Sequence, residues 1–167
     1  MKRLLTFVAL VGTVMTLAVP AAFADSPHFI RASASLNSDG TLTVSFKEAG
    51  LGANQLISYV ASADGTAVYV CVNKGGGNPS ASNKTTVNGP VTAAGTFSSG
   101  KNGQITESLT VSPPSAGGFS CPPGQNLAIA SVSYSNVGIA DTTNDVSDSA
   151  LGDFSSGCLL PNVRNAC

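Results

Sequence analysis

The sequence predicts an all-β protein, an immunoglobulin-like antiparallel β-sandwich of about eight short, disulfide-stabilised strands. Three observations carry that reading. Apolar residues recur with period two in short runs, as in half-buried antiparallel strands. Gly, Asn, Asp and Pro separate those runs at intervals that suit hairpins. Four cysteines, an even number, follow a stretch with the features of an export leader. No segment of ten residues shows a convincing helical period, and Gly, Ser, Thr and Val are abundant at the expense of strong helix formers.

The leader comes first. Residues 1–24 read as a secretory signal peptide, with Lys2 and Arg3 as the positive start, Leu4 to Val19 as the apolar stretch and Ala22-Phe23-Ala24 as the cleavage site. Cleavage leaves Asp25 first and 143 of the 167 residues, enough for one domain with a core of its own. No later run approaches the ~20 apolar residues of a bilayer span. The expected body is residues 25–154, followed by a C-terminal tail, 155–167. Of the four cysteines, Cys71 is expected to pair with Cys121 and Cys158 with Cys167. The counts alone permit two other pairings.

Along the body, Ile30, Ala32, Ala34 and Leu36 alternate with polar residues, Asp39-Gly40 turns the chain, and Leu42, Val44 and Phe46 alternate again. A second hairpin is expected from Gln55 to Ala63 and Thr66 to Val72 around Asp64-Gly65, because Gly accepts the positive φ of a tight turn. Its second arm is apolar on both faces, so it belongs in the middle of a sheet with Cys71 inside. Asn73 to Asn88 reads as a polar loop; its glycine triplet, Gly75 to Gly77, lacks the Lys-Ser/Thr and the helix of a phosphate loop.

Val91 to Ser98 and Gln104 to Ser112 read as a third hairpin around Asn102-Gly103. Glu107 falls on the face of Ile105, Leu109 and Val111, where an inward charge near an edge blocks strand-to-strand aggregation. Asn126 to Tyr134 and Val137 to Ala140 continue the sheet, and Leu151 to Phe154 is a short edge run. A closed barrel is the alternative architecture. The Cys…Trp…Cys arrangement of antibody domains is missing, since there is no Trp.

Composition narrows function. Charged residues make up 10% of the chain, too few, alongside a mean hydropathy of +0.22, for a disordered protein. Six Lys and Arg against nine Asp and Glu leave the mature chain near −3, without the basic patch a nucleic-acid partner demands. The sole imidazole, His28, follows Pro27 close to the mature N-terminus and reads as a surface residue. No Ser or Cys nucleophile motif accompanies it.

Asp141, Asn144, Asp145 and Asp148, with Asp153 beyond them, form an acidic stretch. The plain reading is a solvated loop; the alternatives are a Ca²⁺ site through Asp141, Asn144, Asp145 and Asp148, or paired carboxylates for glycoside hydrolysis. A zinc site has no ligand set here. Sugar stacking would fall to Tyr59 or Tyr134, since the pattern places Tyr69 inside. Asn83-Lys84-Thr85 is a glycosylation sequon.

The runs Ser35 to Gly52, Ser98 to Gln104 and Ser108-Leu109-Thr110-Val111 resemble a group of small exported bacterial proteins of unassigned function. That resemblance implies a compartment and a β-rich build. Ala49-Gly50-Leu51, Asn102-Gly103 and Ser108 to Val111 are also faintly similar to the neocarzinostatin-type chromoprotein apoproteins, which implies a sandwich holding a small apolar chromophore. The cysteine spacing departs from that family, and no binding residue carries over.

The expected function is that of a secreted, non-enzymatic protein, extracellular or cell-wall associated. It acts by contact with an unknown cell-surface or matrix component, without nucleic acid, membrane span or cofactor. A small-ligand carrier and a carboxylate-dependent hydrolase are the alternatives.

Overall fold

The computed structural model describes residues 26–77, 83–149 and 151–167. The expected signal peptide, Asp25 and the Asn78-Pro79 step lie outside these residues. The chain is all-β: β1 (His28–Leu36), β2 (Leu42–Ala49), β3 (Leu56–Asn73), β4 (Lys84–Ser98), β5 (Gln104–Val111), β6 (Gln125–Asp141), β7 (Val146–Asp148) and β8 (Phe154–Ser155). They form two antiparallel sheets, β1-β2-β5 and β4-β3-β6-β7, with β8 beside β6. Leu42, Val44 and Phe46 from the first sheet meet Ile57, Ala61, Val132 and Ile139 from the second in one core.

The described residues hold eight strands, but these are not uniformly short. β3, β4 and β6 run 18, 15 and 17 residues against 8 or 9 in the first sheet, so the second sheet is roughly twice as long as the one that covers it. The Asp64-Gly65 hairpin expected from the sequence does not form. β3 passes straight through, Asp64 opposite Pro90 and Gly65 opposite Gly89, and only a bulge against β6 between Ser62 and Asp64 marks the place. Gly65 serves close approach instead of turning: a Cβ there would lie 2.9 Å from Pro114 Cδ. The Asn73 to Asn88 loop is also shorter than expected, because Lys84 to Asn88 already belong to β4.

Alternation along β3 explains how both halves of the long sheet are covered. Ile57, Tyr59, Ala61 and Ala63 face the first sheet, and on the same face Ala67, Tyr69 and Cys71 continue beyond its end. There the covering segment is 112–121: Tyr69 donates its hydroxyl to the Pro114 carbonyl at 2.7 Å, and Cys71 is bonded to Cys121. Val68, Val70 and Val72 point the other way and pack with Ala128, Ala130, Leu160, Val163 and Ala166. Residues 155–167 thus pack along the sheet. Backbone bonds from Ser156 to Val132 and from Leu159 to Ala130 run them along β6, and Cys158–Cys167 closes them. The glycine triplet wraps the Asn73 side chain, which accepts from Gly75 and Gly77, and Gly76 accepts from Arg164 of the same segment.

Two further expectations fail for local reasons. A bulge in β1 between Phe29 and Arg31 shifts the alternation by one, so Phe29 packs on the core and Ile30 is exposed. Asn102-Gly103 does not close a hairpin, since β4 pairs with β3 and β5 with β2. The 99–103 segment is an arch between sheets, laid beside the 50–55 arch. Ser99, itself buried, ties them: its hydroxyl donates to Gly52 O and accepts from Gln55 N, while its N–H reaches Gln55 O. At the other end, Gly40 sits at φ 88° and Tyr134 donates to its carbonyl at 2.7 Å, joining the β1–β2 turn to β6. β5 is an edge strand, and Glu107, opposite Phe46, is exposed there.

Cys71–Cys121 thus fastens one cover onto the long half of the second sheet, and Cys158–Cys167 closes the other cover on itself. Loop closure over the 50-residue separation of Cys71 and Cys121 is worth about 4 kcal/mol, and over the 9-residue separation of Cys158 and Cys167 about 2.5 kcal/mol. Urea unfolding of the Cys71→Ala/Cys121→Ala and Cys158→Ala/Cys167→Ala pairs is expected to return losses in that order, the first enlarged by the buried site of Cys71.

Candidate functional site

The alternation of β2 runs past Phe46. Leu42, Val44, Phe46 and Glu48 share the inward face, so the strand carries a carboxylate into the core at its last turn inward. Glu48 is 0% exposed. Facing it from the other sheet are Tyr59 on β3, also 0% exposed, and Asp141 at the end of β6, 1% exposed; these two are register partners. Phe46 stacks on Tyr59 with ring centroids 4.5 Å apart, and Phe29 and Phe97 flank them edge-on or tilted.

Asp141 is satisfied by the turn that follows it. Its Oδ1 accepts from the Thr143 and Asn144 N–H groups at 2.8 and 3.0 Å, and its Oδ2 accepts from Asn144 Nδ2 at 2.6 Å. Thr142 donates its N–H and its hydroxyl to Ser58 O, and Ser58 N–H donates to the Thr143 hydroxyl, which docks the turn on β3. Asp145 takes φ 58° and the chain returns as β7.

Glu48 has no such partners. Both of its carboxyl oxygens and the Tyr59 hydroxyl lie buried without a hydrogen bond. Burial pushes the Glu48 carboxyl above its ordinary range; the neighbouring Tyr59 hydroxyl favours the anion and opposes this, while the Asp141 carboxylate reinforces it. Burial likewise holds the Tyr59 phenol far above its ordinary value, with Glu48 adding to the effect. Tyr134, also buried, is pushed up to about 12.

The residues singled out in the sequence are distributed differently. Asp141 and Asn144 do come together, but Asn144 offers its amide nitrogen, a donor, where a Ca²⁺ site needs oxygen. Asp145 is exposed on the turn, and Asp148 sits in β7 opposite Ile139. Among the described residues, no three carboxylate, imidazole or thiol groups converge as metal ligands. Neither Tyr59 nor Tyr134 is exposed for sugar stacking, and Tyr69 is buried as expected. His28 is exposed and donates from Nδ1 to Ser26 O at 2.7 Å. Asn83 of the sequon donates to Gln125 Oε1.

Two of the recesses among the described residues bear on the site. One, of about 360 Å³, lies beside the buried cluster, walled by Pro27, Leu51, Leu56 and Ile57 and edged by Gln55, Thr143 and Asn144. The other, of about 280 Å³, lies where β8 meets β6 and holds Asp64, Asp153, Thr66, Ser133 and Ser155 against the Phe154 ring. Asp64 Oδ2 there accepts from Asn136 Nδ2 at 2.7 Å. Neither Glu48 nor the recess shared by Asp64 and Asp153 is part of the sequence reading. Glu48 was legible as the next inward position of β2, whereas Asp64 and Asp153 line one recess only because β8 returns beside β6.

No protein-family model, curated protein sequence or solved structure matches the chain.

Two expectations follow from this geometry. The folded protein holds a proton on Glu48 to higher pH than the unfolded chain, so it binds more protons in between. Stability from this group is complete below the ordinary value of 4.5 and declines as pH rises through the raised one. Denaturant unfolding across that range is expected to show the decline in the native protein and a flatter profile in Glu48→Gln. In the second, Tyr134→Phe strands the Gly40 carbonyl and costs about 1–2 kcal/mol, whereas Tyr59→Phe removes a hydroxyl without a partner and costs less than about 0.5 kcal/mol, both read by thermal unfolding.

Proposed function

We propose that the protein is an exported, immunoglobulin-like, non-enzymatic module that works by contact with a cell-surface or matrix component. The contact is made at the end of the body where the 50–55 arch and the 142–145 turn frame the larger recess. The observation that carries this reading is Leu56. At 70% exposure it is the most exposed large apolar side chain among the described residues, and it forms the lip of a recess with apolar walls and an edge of amide and hydroxyl groups. Two disulfides suit an oxidising extracellular setting, and no helix among the described residues is long and apolar enough to cross a membrane.

The same recess supports a small-ligand carrier of the chromoprotein-apoprotein type as the alternative, since its volume falls within the range of small-molecule sites. The carboxylate-dependent hydrolase takes its support elsewhere, from Asp64 and Asp153 lining one recess, the residue types that glycoside hydrolysis uses in pairs.

Retention of the purified protein on the surface fraction of the producing cells tests the first reading. Leu56→Glu is expected to weaken retention roughly tenfold or more, equivalent to about 1.4 kcal/mol. Equal retention of native and variant protein would remove the recess from the account. Release of reducing ends from a panel of polysaccharides, abolished in Asp64→Asn and Asp153→Asn, would replace it with the hydrolase.

A further inference from the structure

Glu48, Tyr59 and Asp141 come from three strands and both sheets into one dry place, yet only Asp141 is hydrogen-bonded. A buried carboxylate with neither oxygen satisfied is among the costliest arrangements a core can hold, and a neutral carboxylic acid avoids that cost while gaining a donor. We propose that Glu48 keeps its proton and presents it to the Asp141 side chain, and that this proton latches the 142–145 turn onto the end of β3.

The surroundings fix the sense of the latch. From β3 the group facing Glu48 is the Tyr59 phenol; from β6 it is the Asp141 carboxylate; from β1 it is His28, exposed and turned to Ser26 O. The flanking register partners of Glu48 are Phe29 on β1 and Ile105 on β5, both apolar. Lys47, the basic neighbour on its own strand, has the opposite parity and lies opposite Arg31. Removing the proton leaves two anions with little to separate their fields. Glu48 is held inside by β2, between β1 and β5. Asp141 is the last residue of its strand and caps an exposed turn, so the repulsion is relieved by Asp141 swinging away from Glu48, which breaks its bonds to the Thr143 and Asn144 N–H groups and frees the turn.

Those two residues also edge the larger recess, so release of the turn reshapes its rim as pH rises. That consequence rests on the contact reading above; the latch itself does not.

The test is a pH titration by ¹³C NMR of the Glu48 side-chain carboxyl, together with amide exchange at Thr143 and Asn144 corrected for intrinsic base catalysis. The expected result is a Glu48 signal that stays at the carboxylic-acid position as pH rises past the ordinary value of 4.5. The two amides then lose protection roughly tenfold or more as Glu48 finally titrates, and in Glu48→Gln they stay protected throughout. Glu48 titrating at its ordinary value of 4.5 would overturn the proposal, as would amides equally protected on both sides of the Glu48 transition. A Glu48 signal at the carboxylate position at every pH, moving on addition of Na⁺ or Ca²⁺, would assign the site to a cation instead. The native titration decides the matter even if the variant does not fold, and it is indifferent to the Leu56→Glu retention result.

Discussion

The rest of the structure depends on a mismatch of length. One sheet has strands of 15 to 18 residues and the sheet opposite has strands of 8 or 9, so half of a long apolar face has no sheet to lie against. Burying that half is what stabilises it, and the chain does so with irregular segments. The 112–121 segment covers Ala67, Tyr69 and Cys71 on one side, and residues 156–167 cover Val68, Val70 and Val72 on the other. Irregular covers make few backbone bonds of their own, which explains why a disulfide sits in each. It also explains why the central arm of β3 is apolar on both faces while its first half alternates.

Much of this was legible in the residues. Period-two alternation placed β1, β2, β5 and both halves of β3, and the even cysteine count, with Cys158 and Cys167 bracketing a short segment and Cys71 and Cys121 within the body, suggested the pairing that forms. What failed were the turns. Asp64-Gly65 and Asn102-Gly103 both have the chemistry of a tight hairpin, but a dipeptide that permits a turn does not impose one, and strand pairing overrode it. At Gly65 the missing side chain makes room for Pro114, and at 99–103 the buried Ser99 hydroxyl binds the neighbouring arch. Ile30 reads as inward until a single bulge hands its place to Phe29.

The polar cluster was half visible. Asp141 stood out as one of several acidic residues, and its role as the cap of its own turn follows from a bend that local sequence hints at through Thr142 to Asp145. Glu48 was legible only to a reading that carried the inward parity of β2 two residues beyond Phe46. Its meeting with Asp141 depends on the packing of two sheets and on contacts far apart in sequence, which no local pattern encodes. The cluster occupies the end of the body where the sheets do cover one another, so protonation chemistry and disulfide covers act on opposite ends of the same long sheet.

The account is tested most directly by hydrogen–deuterium exchange read by mass spectrometry, before and after opening of both disulfides under native conditions. It predicts that protection falls in residues 66–73 and 125–131, where the covers lie, while β2, β5 and the 56–63 half of β3 remain protected. Uniform loss along all strands, or no change in the 66–73 segment, would contradict it.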